Sequence, residues 1–195
     1  MSAHVPWITL ALIVVAIAIG FVAPEPSTGF ALLVLDHARP RAWPWLSAHF
    51  LHTDPVHLGW NVFALGCLGV LGERENPIRF VAAIAAGIVA VDVWFAWIET
   101  DLRFYCGLSG VLNTVLLIVL YALRGRIATR FLVGAAVLVA LKVAWEWHGG
   151  VALFTQSRWP SAVGAHVAGF VAALPLLALF VWRDRRTSAT SRIAT

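Results

Sequence analysis

Charge is what this chain has least of: Lys, Arg, Asp and Glu together make up 12% of its 195 residues, against 61% hydrophobic residues. With a mean hydropathy of +0.84, so few charges exclude a water-soluble globule of this length. Cysteine is equally scarce. Cys67 lies about ten residues into one apolar run and Cys106 at the start of another, at different levels, so no disulfide framework is expected and small apolar packing is their default role. No Lys or Arg precedes the first apolar run in "MSAHVPW". That run is also too long for the core of a signal peptide, so the first segment is expected to be retained. No internal repeat and no low-complexity tract breaks the chain, which leaves one compact domain over residues 1–182 and a basic tail over 183–195.

What is present in abundance is apolar sequence long enough to cross a bilayer, for which a helix needs about 20 residues. Such runs occur at Val5–Ala23, Pro55–Leu71, Pro77–Ile98, Tyr105–Leu123, Ile127–Trp147 and Ser161–Trp182. The expected fold is an all-α membrane protein, a bundle of six transmembrane helices. Connections are short except Pro24–Asp54, whose Pro, Trp and His content predicts an ordered loop at the interface.

Basic residues set the orientation. Arg74, Arg79, Arg124, Arg126, Arg130, Arg183, Arg185, Arg186 and Arg192 fall on one side of the six segments, whereas Arg39, Arg41, Arg103 and Arg158 fall on the other. The richer side is expected in the cytoplasm together with both termini. Eight of the ten tryptophans then lie on or near the outer side, as an interfacial belt would. The net charge of +4 reflects this sorting and gives no reason to expect nucleic acid as a partner; the expected partners are the lipid bilayer and proteins within it.

With that orientation, segments two, four and six all enter from the outer face, and each carries a polar residue soon after its start. His57 stands about two residues in, Ser109 about four and His166 about five. At about 1.5 Å per residue the three depths agree within one turn. Asn61 follows His57 by one turn on the same face, and Asn113 follows Ser109 likewise. Taken singly, these residues have plain structural readings. Gly107, Ser109 and Gly110 are the small residues that let membrane helices pack closely, and an isolated intramembrane His or Asn often serves as a hydrogen-bonded packing residue. Packing alone does not predict a hydroxyl, an imidazole and amide donors at one level on three alternate segments, where polar groups are costly.

Chemistry gives the set a purpose. A serine hydroxyl is a weak nucleophile until an adjacent base takes its proton, and neutral His is the usual base near neutral pH. Ser109 and His166 supply that pair. The glycines beside Ser109 permit close approach of a backbone or a substrate carbonyl, and the free N–H groups at a helix start, with His57 and Asn61, can face developing negative charge. Hydrolysis would further require a water-accessible cavity open to the outer face.

These motifs, "HTDPVHLGWN" (His52 to Asn61), "GLSG" (Gly107 to Gly110) and "GAHVAG" (Gly164 to Gly169), resemble those of the rhomboid family of intramembrane serine proteases, in order and on the second, fourth and sixth segments. The resemblance implies a catalytic dyad of Ser109 and His166 with no acidic third member. It also implies oxyanion donors from His57, Asn61 and the Ser109 backbone, support from Gly107, Gly110, Asn113, His52 and Gly169, no cofactor, and membrane-anchored protein substrates cut near the outer face. Two departures stand out. "AWPWLSAHF" lacks the Trp-Arg pair many rhomboids carry in the first loop, and Asn113 replaces an aromatic that stacks on the imidazole in many members. An amide at that position could instead hydrogen-bond His166 and fix its tautomer. The compact size and the non-aromatic residue are similar to the rhombosortase branch, which trims C-terminal sorting tails. The sequence sets no oligomeric state.

Other polar residues have ordinary readings. Asp92, Lys142 and Glu146 are expected in the outer third of the membrane, forming an ion pair or snorkelling to the interface, with Lys142 and Glu146 on one face. His148 and Glu146 are expected to be solvated near the outer surface, and His52 to brace the loop against the second segment. Two rivals remain. A metal or haem protein could use the outer histidines, but H-E-x-x-H is absent and neither His57 nor His166 has a carboxylate or cysteine at a ligand spacing, so no metal site is expected. A non-catalytic rhomboid-shaped protein that captures membrane helices would typically lack the serine or the histidine, and this chain has both. An α/β-hydrolase is excluded, since Val111 stands where G-x-S-x-G needs glycine and no strand-rich pattern exists.

Overall fold

The computed structural model describes residues 5–153 and 161–193. Arg158, assigned above to the outer side, and Trp159, one of the eight outer tryptophans, lie outside the described residues. Where charge is so sparse, local signals decide where helices begin. Asp54 accepts from the His57 N–H at 2.8 Å and Pro55 takes the first position of helix α4 (Pro55–Glu75). Asn76 ends α4 and caps the next helix, α5 (Pro77–Trp97), accepting from Arg79 N–H at 3.0 Å. Before them come α1 (Trp7–Val22), the short α2 (Thr28–Leu33) and α3 (Pro44–Ser47), and a 3-10 turn, Ala48–Phe50. After them come α6 (Ser109–Ala122), α7 (Thr129–Gly149) and α8 (Val163–Ile193). Among the described residues, α4, α5, α7 and α8 are long and apolar enough to cross a membrane, and α1 and α6 are shorter apolar helices. The protein is an all-α integral membrane protein.

Helix α6 is the axis of the bundle. Val111, Val115 and Ile118 are almost fully enclosed and pack with Leu65 of α4 and Phe80 and Ala83 of α5. Being wrapped by protein, α6 can be short: at 14 residues it spans about 21 Å. It also starts later than the apolar run. Phe104–Tyr105 are extended and pair antiparallel with Leu35–Asp36, forming strands β2 and β1 and stitching the long first loop to the loop before α6. Ser109 is therefore the first residue of its helix, while His57 and His166 are the third and fourth of theirs.

Close approach governs the α6–α8 contact. A Cβ on Gly169 would overlap the Gly110 carbonyl oxygen, and one on Gly110 would sit 2.7 Å from the Ala165 oxygen, so two backbones touch where side chains normally intervene. Thr114 Oγ1 ties the pair by donating to Gly169 O at 2.6 Å.

The opposite end of the bundle holds its charges in pairs. Glu73, 2% exposed, caps α1 by accepting from Ile8 N–H, Thr9 N–H and the Thr9 hydroxyl at 3.0, 2.8 and 2.9 Å. Its carboxylate satisfies helix N–H groups that otherwise have no partner. Asp184 of α8 binds Arg79, Arg124 and Tyr121, joining α5, α6 and α8. Residues 183–193 continue α8 as helix.

Candidate active site

Ser109 owes its position to a turn that needs glycine. Gly107 has φ +118°, and a Cβ there would also press within 2.9 Å of the His57 ring. Its N–H donates to Ala48 O at 2.9 Å, and its carbonyl accepts from Tyr105 Oη at 2.6 Å. Behind Tyr105 lies fully enclosed His49, whose Nδ1 is 3.4 Å from the phenol and whose Nε2 is 3.1 Å from Asp92 Oδ1. A polar chain thus runs from α5 through the 3-10 turn to the turn before Ser109. Asp92 pairs with a loop histidine here, which accounts for a carboxylate in an otherwise apolar segment.

Across the α6–α8 contact, Ser109 Oγ lies 2.7 Å from His166 Nε2, and the imidazole is 6% exposed. On the far side of that ring, His166 Nδ1 lies 2.7 Å from Glu146 Oε2. Glu146 is 1% exposed, which corrects the expectation that it is solvated. The carboxylate is held by Lys142 Nζ at 2.9 Å and by the Leu153 N–H, which donates to Oε1 at 2.7 Å. The arrangement departs from an imidazole without an acidic neighbour. Sequence reasoning missed Glu146 as a partner of His166, although its position one turn from the C-terminal end of α7 matches the level of Ser109 and His166.

The amides differ from expectation as well. Asn113 Nδ2 donates to Ser109 O at 3.0 Å, one turn back on its own helix, and makes no bond to His166, whose two ring nitrogens are engaged by Ser109 and Glu146. Asn61 Nδ2 likewise donates to His57 O at 3.0 Å. Each amide has a second N–H, and both asparagines line the cavity. His57 does not line it. Its ring packs beside Gly107 and edge-on to His52 at 4.9 Å, and its buried Nδ1 finds no partner among the described residues. His52 lies in the loop before α4, where burial, and then the neighbouring His57, pushes its imidazole down to about 3. It is neutral near pH 7, and its Nδ1–H donates to Phe50 O at 3.1 Å, two residues back in the same loop.

The cavity in front of Ser109 has a volume of about 530 Å³. Its walls come from α4, α6, α7 and α8: Trp60 and Leu68 on one side, Leu138 and Lys142 on another, with Ser109 and His166 at the back. Among the described residues no group of three or more His, Cys, Asp and Glu side chains stands close enough to hold a metal ion.

A helical bundle built for lipid, with a serine hydroxyl on an imidazole at the wall of an apolar cavity, defines a narrow class of membrane protein. A family model, the Rhomboid domain, matches residues 39–183, and the chain belongs to the rhomboid family. Comparison with curated proteins finds no match. Rhomboids are generally intramembrane serine proteases that act on membrane proteins within the bilayer.

Proposed function

We propose that this protein is a serine endopeptidase that cleaves membrane-anchored proteins near the outer face of the membrane, with six helices across the bilayer and both termini in the cytoplasm. The observation that carries the reading is the 2.7 Å contact of Ser109 Oγ with His166 Nε2 at the wall of the cavity. The sorting of arginines supports the orientation. Placement of Trp60 on α4 and Leu138 on α7 at the cavity edge supports entry of a substrate segment between those helices.

In the proposed reaction His166 Nε2 accepts the Ser109 proton as Oγ attacks the scissile carbonyl. The oxyanion is met by the Ser109 N–H, unpaired as a helix-start N–H is, and by the second N–H of Asn61, while His57 packs behind Gly107 and supports the turn that aims Ser109. His166 returns the proton to the leaving amine, and water then hydrolyses the acyl-enzyme by the same route in reverse. Gly107, Gly110 and Gly169 set the close approaches this needs, and Asn113 holds the first turn of α6. Asn113 in place of an aromatic supports the rhombosortase branch and thus a C-terminal sorting tail as substrate.

A fluorophosphonate is expected to label detergent-solubilised protein at Ser109, with labelling lost in Ser109→Ala and in His166→Ala. Mass spectrometry of the labelled peptide checks this, and undiminished labelling of folded His166→Ala would overturn the pairing. Asn61→Ala is expected to lower kcat by about 10²- to 10³-fold with little change in substrate binding, because the charge it meets exists only during reaction. Thermal stability measured alongside separates this from loss of the Asn61–His57 bond.

A further inference from the structure

We infer that Glu146 is the third member of the machinery, a positioning residue that fixes the tautomer and direction of His166 from helix α7. The inference rests on the Ser109–His166 reading and adds to it a carboxylate that the family resemblance does not supply.

An ionised carboxylate only accepts hydrogen bonds. At 2.7 Å from His166 Nδ1, it places the ring hydrogen on Nδ1 and leaves the Nε2 lone pair directed at the Ser109 hydroxyl. As Ser109 loses its proton to Nε2, the ring becomes an imidazolium. The adjacent negative charge then stabilises it in a setting with little water to do so. No proton need pass to Glu146.

The carboxylate is itself built in. Its Oε1 is fixed by the Leu153 N–H at 2.7 Å and its Oε2 by Lys142 at 2.9 Å. An isolated charge at this depth would be costly, and Lys142 one turn away on α7 offsets it. A packing role alone would need neither the ring nitrogen as partner nor three donors on one carboxylate.

The other titratable groups around His166 do not offer a substitute. Ser109 of α6 is the nucleophile on Nε2, and His57 of α4 packs on Gly107. Asp92 of α5 is turned to His49, and Glu99, past the end of α5, lies against Gly164, two residues before His166. Because Glu146 and Lys142 ride on α7, which walls the cavity, a displacement of α7 also withdraws the carboxylate from the imidazole.

The test compares wild type, Glu146→Gln, Glu146→Ala and Lys142→Met as full-length protein in detergent, reading the fluorophosphonate labelling rate at Ser109, kcat and KM on a membrane-anchored reporter, and thermal stability. Glu146→Gln is expected to lower kcat and the labelling rate by between about 10²- and 10⁴-fold, the upper figure being the cost of neutralising the carboxylate of a soluble triad, with KM nearly unchanged. Added formate should restore part of the Glu146→Ala activity and none to wild type, and Lys142→Met should lose less than Glu146→Gln. Wild-type kinetics in folded Glu146→Gln would overturn the inference, as would a loss in Glu146→Ala that formate leaves untouched. Failure of wild type itself to label at Ser109 would instead overturn the Ser109–His166 reading.

Discussion

Ser109→Ala is expected to bring turnover of a membrane-anchored reporter to background, a loss of roughly 10⁶-fold by analogy with removal of the nucleophile from a soluble serine protease. No other hydroxyl or thiol lines the cavity among the described residues, so no neighbour can take over the attack. The substitution is mild in structural terms. The hydroxyl is bonded to His166 Nε2, and alanine is well tolerated in a helix. His166→Ala should lose a comparable amount, and the double variant little more, because nucleophile and base act as a unit. Initial rates on purified protein of verified thermal stability check this. Turnover of folded Ser109→Ala above background by more than a trace would end the serine-protease reading.

Gly169→Ala should be damaging for a different reason. The added methyl would overlap the Gly110 carbonyl oxygen, and because that atom is backbone, α6 and α8 must move apart as bodies. Overpacking of this kind costs typically about 1–3 kcal/mol, or roughly 2–12 °C in melting temperature for a chain of this size. The activity should fall further than the stability. Ser109 and His166 stand on the two helices being separated, and a misplacement of about 1 Å can cost about 10²-fold. Gly134→Ala in α7 is the control. Nothing lies within 4 Å of its added carbon, so the usual helix preference for alanine, up to about 1 kcal/mol, should leave the protein equally or more stable. Thermal melts and kcat for both variants decide the matter, and a Gly169→Ala protein as active as wild type would show that the helices are free to separate.

The apolar runs made the helices legible, since composition over some twenty residues survives any detail of packing, and the agreement in depth of His57, Ser109 and His166 was readable by counting. Depth could not reveal partners. Asp92 and Glu146 looked like interfacial charges because a carboxylate near the end of an apolar run has the same appearance whether it turns outward to water or inward to an imidazole. That choice depends on helix rotation, which apolar residues on every face leave unmarked. Tyr105 read as the start of a helix for a related reason: its strand exists only because Leu35 lies opposite, some seventy residues back in the chain. Asn113 could be read as a partner of His166, but its amide donates to the carbonyl of Ser109 one turn back on its own helix. Glu73 as a cap for α1 was invisible, because it bridges residues 64 and 65 positions apart.

The brevity of α6 has a consequence for the membrane around it. Its 14 residues span about 21 Å, and the 3-10 turn Leu123–Gly125 that continues the apolar helix adds about 6 Å, against a hydrocarbon layer of about 30 Å. On the Ser109 side α6 is preceded by the loop that carries Phe104–Tyr105 and its pairing with Leu35–Asp36, so in the proposed orientation part of the remaining depth belongs to loop backbone instead of helix. On the proposed reading, a substrate helix resting there loses part of the lipid that enforces its internal hydrogen bonds. Bilayer thickness thereby becomes a dial on unravelling: thicker lipid deepens the step a passing helix must descend to reach the hydroxyl, and thinner lipid levels it.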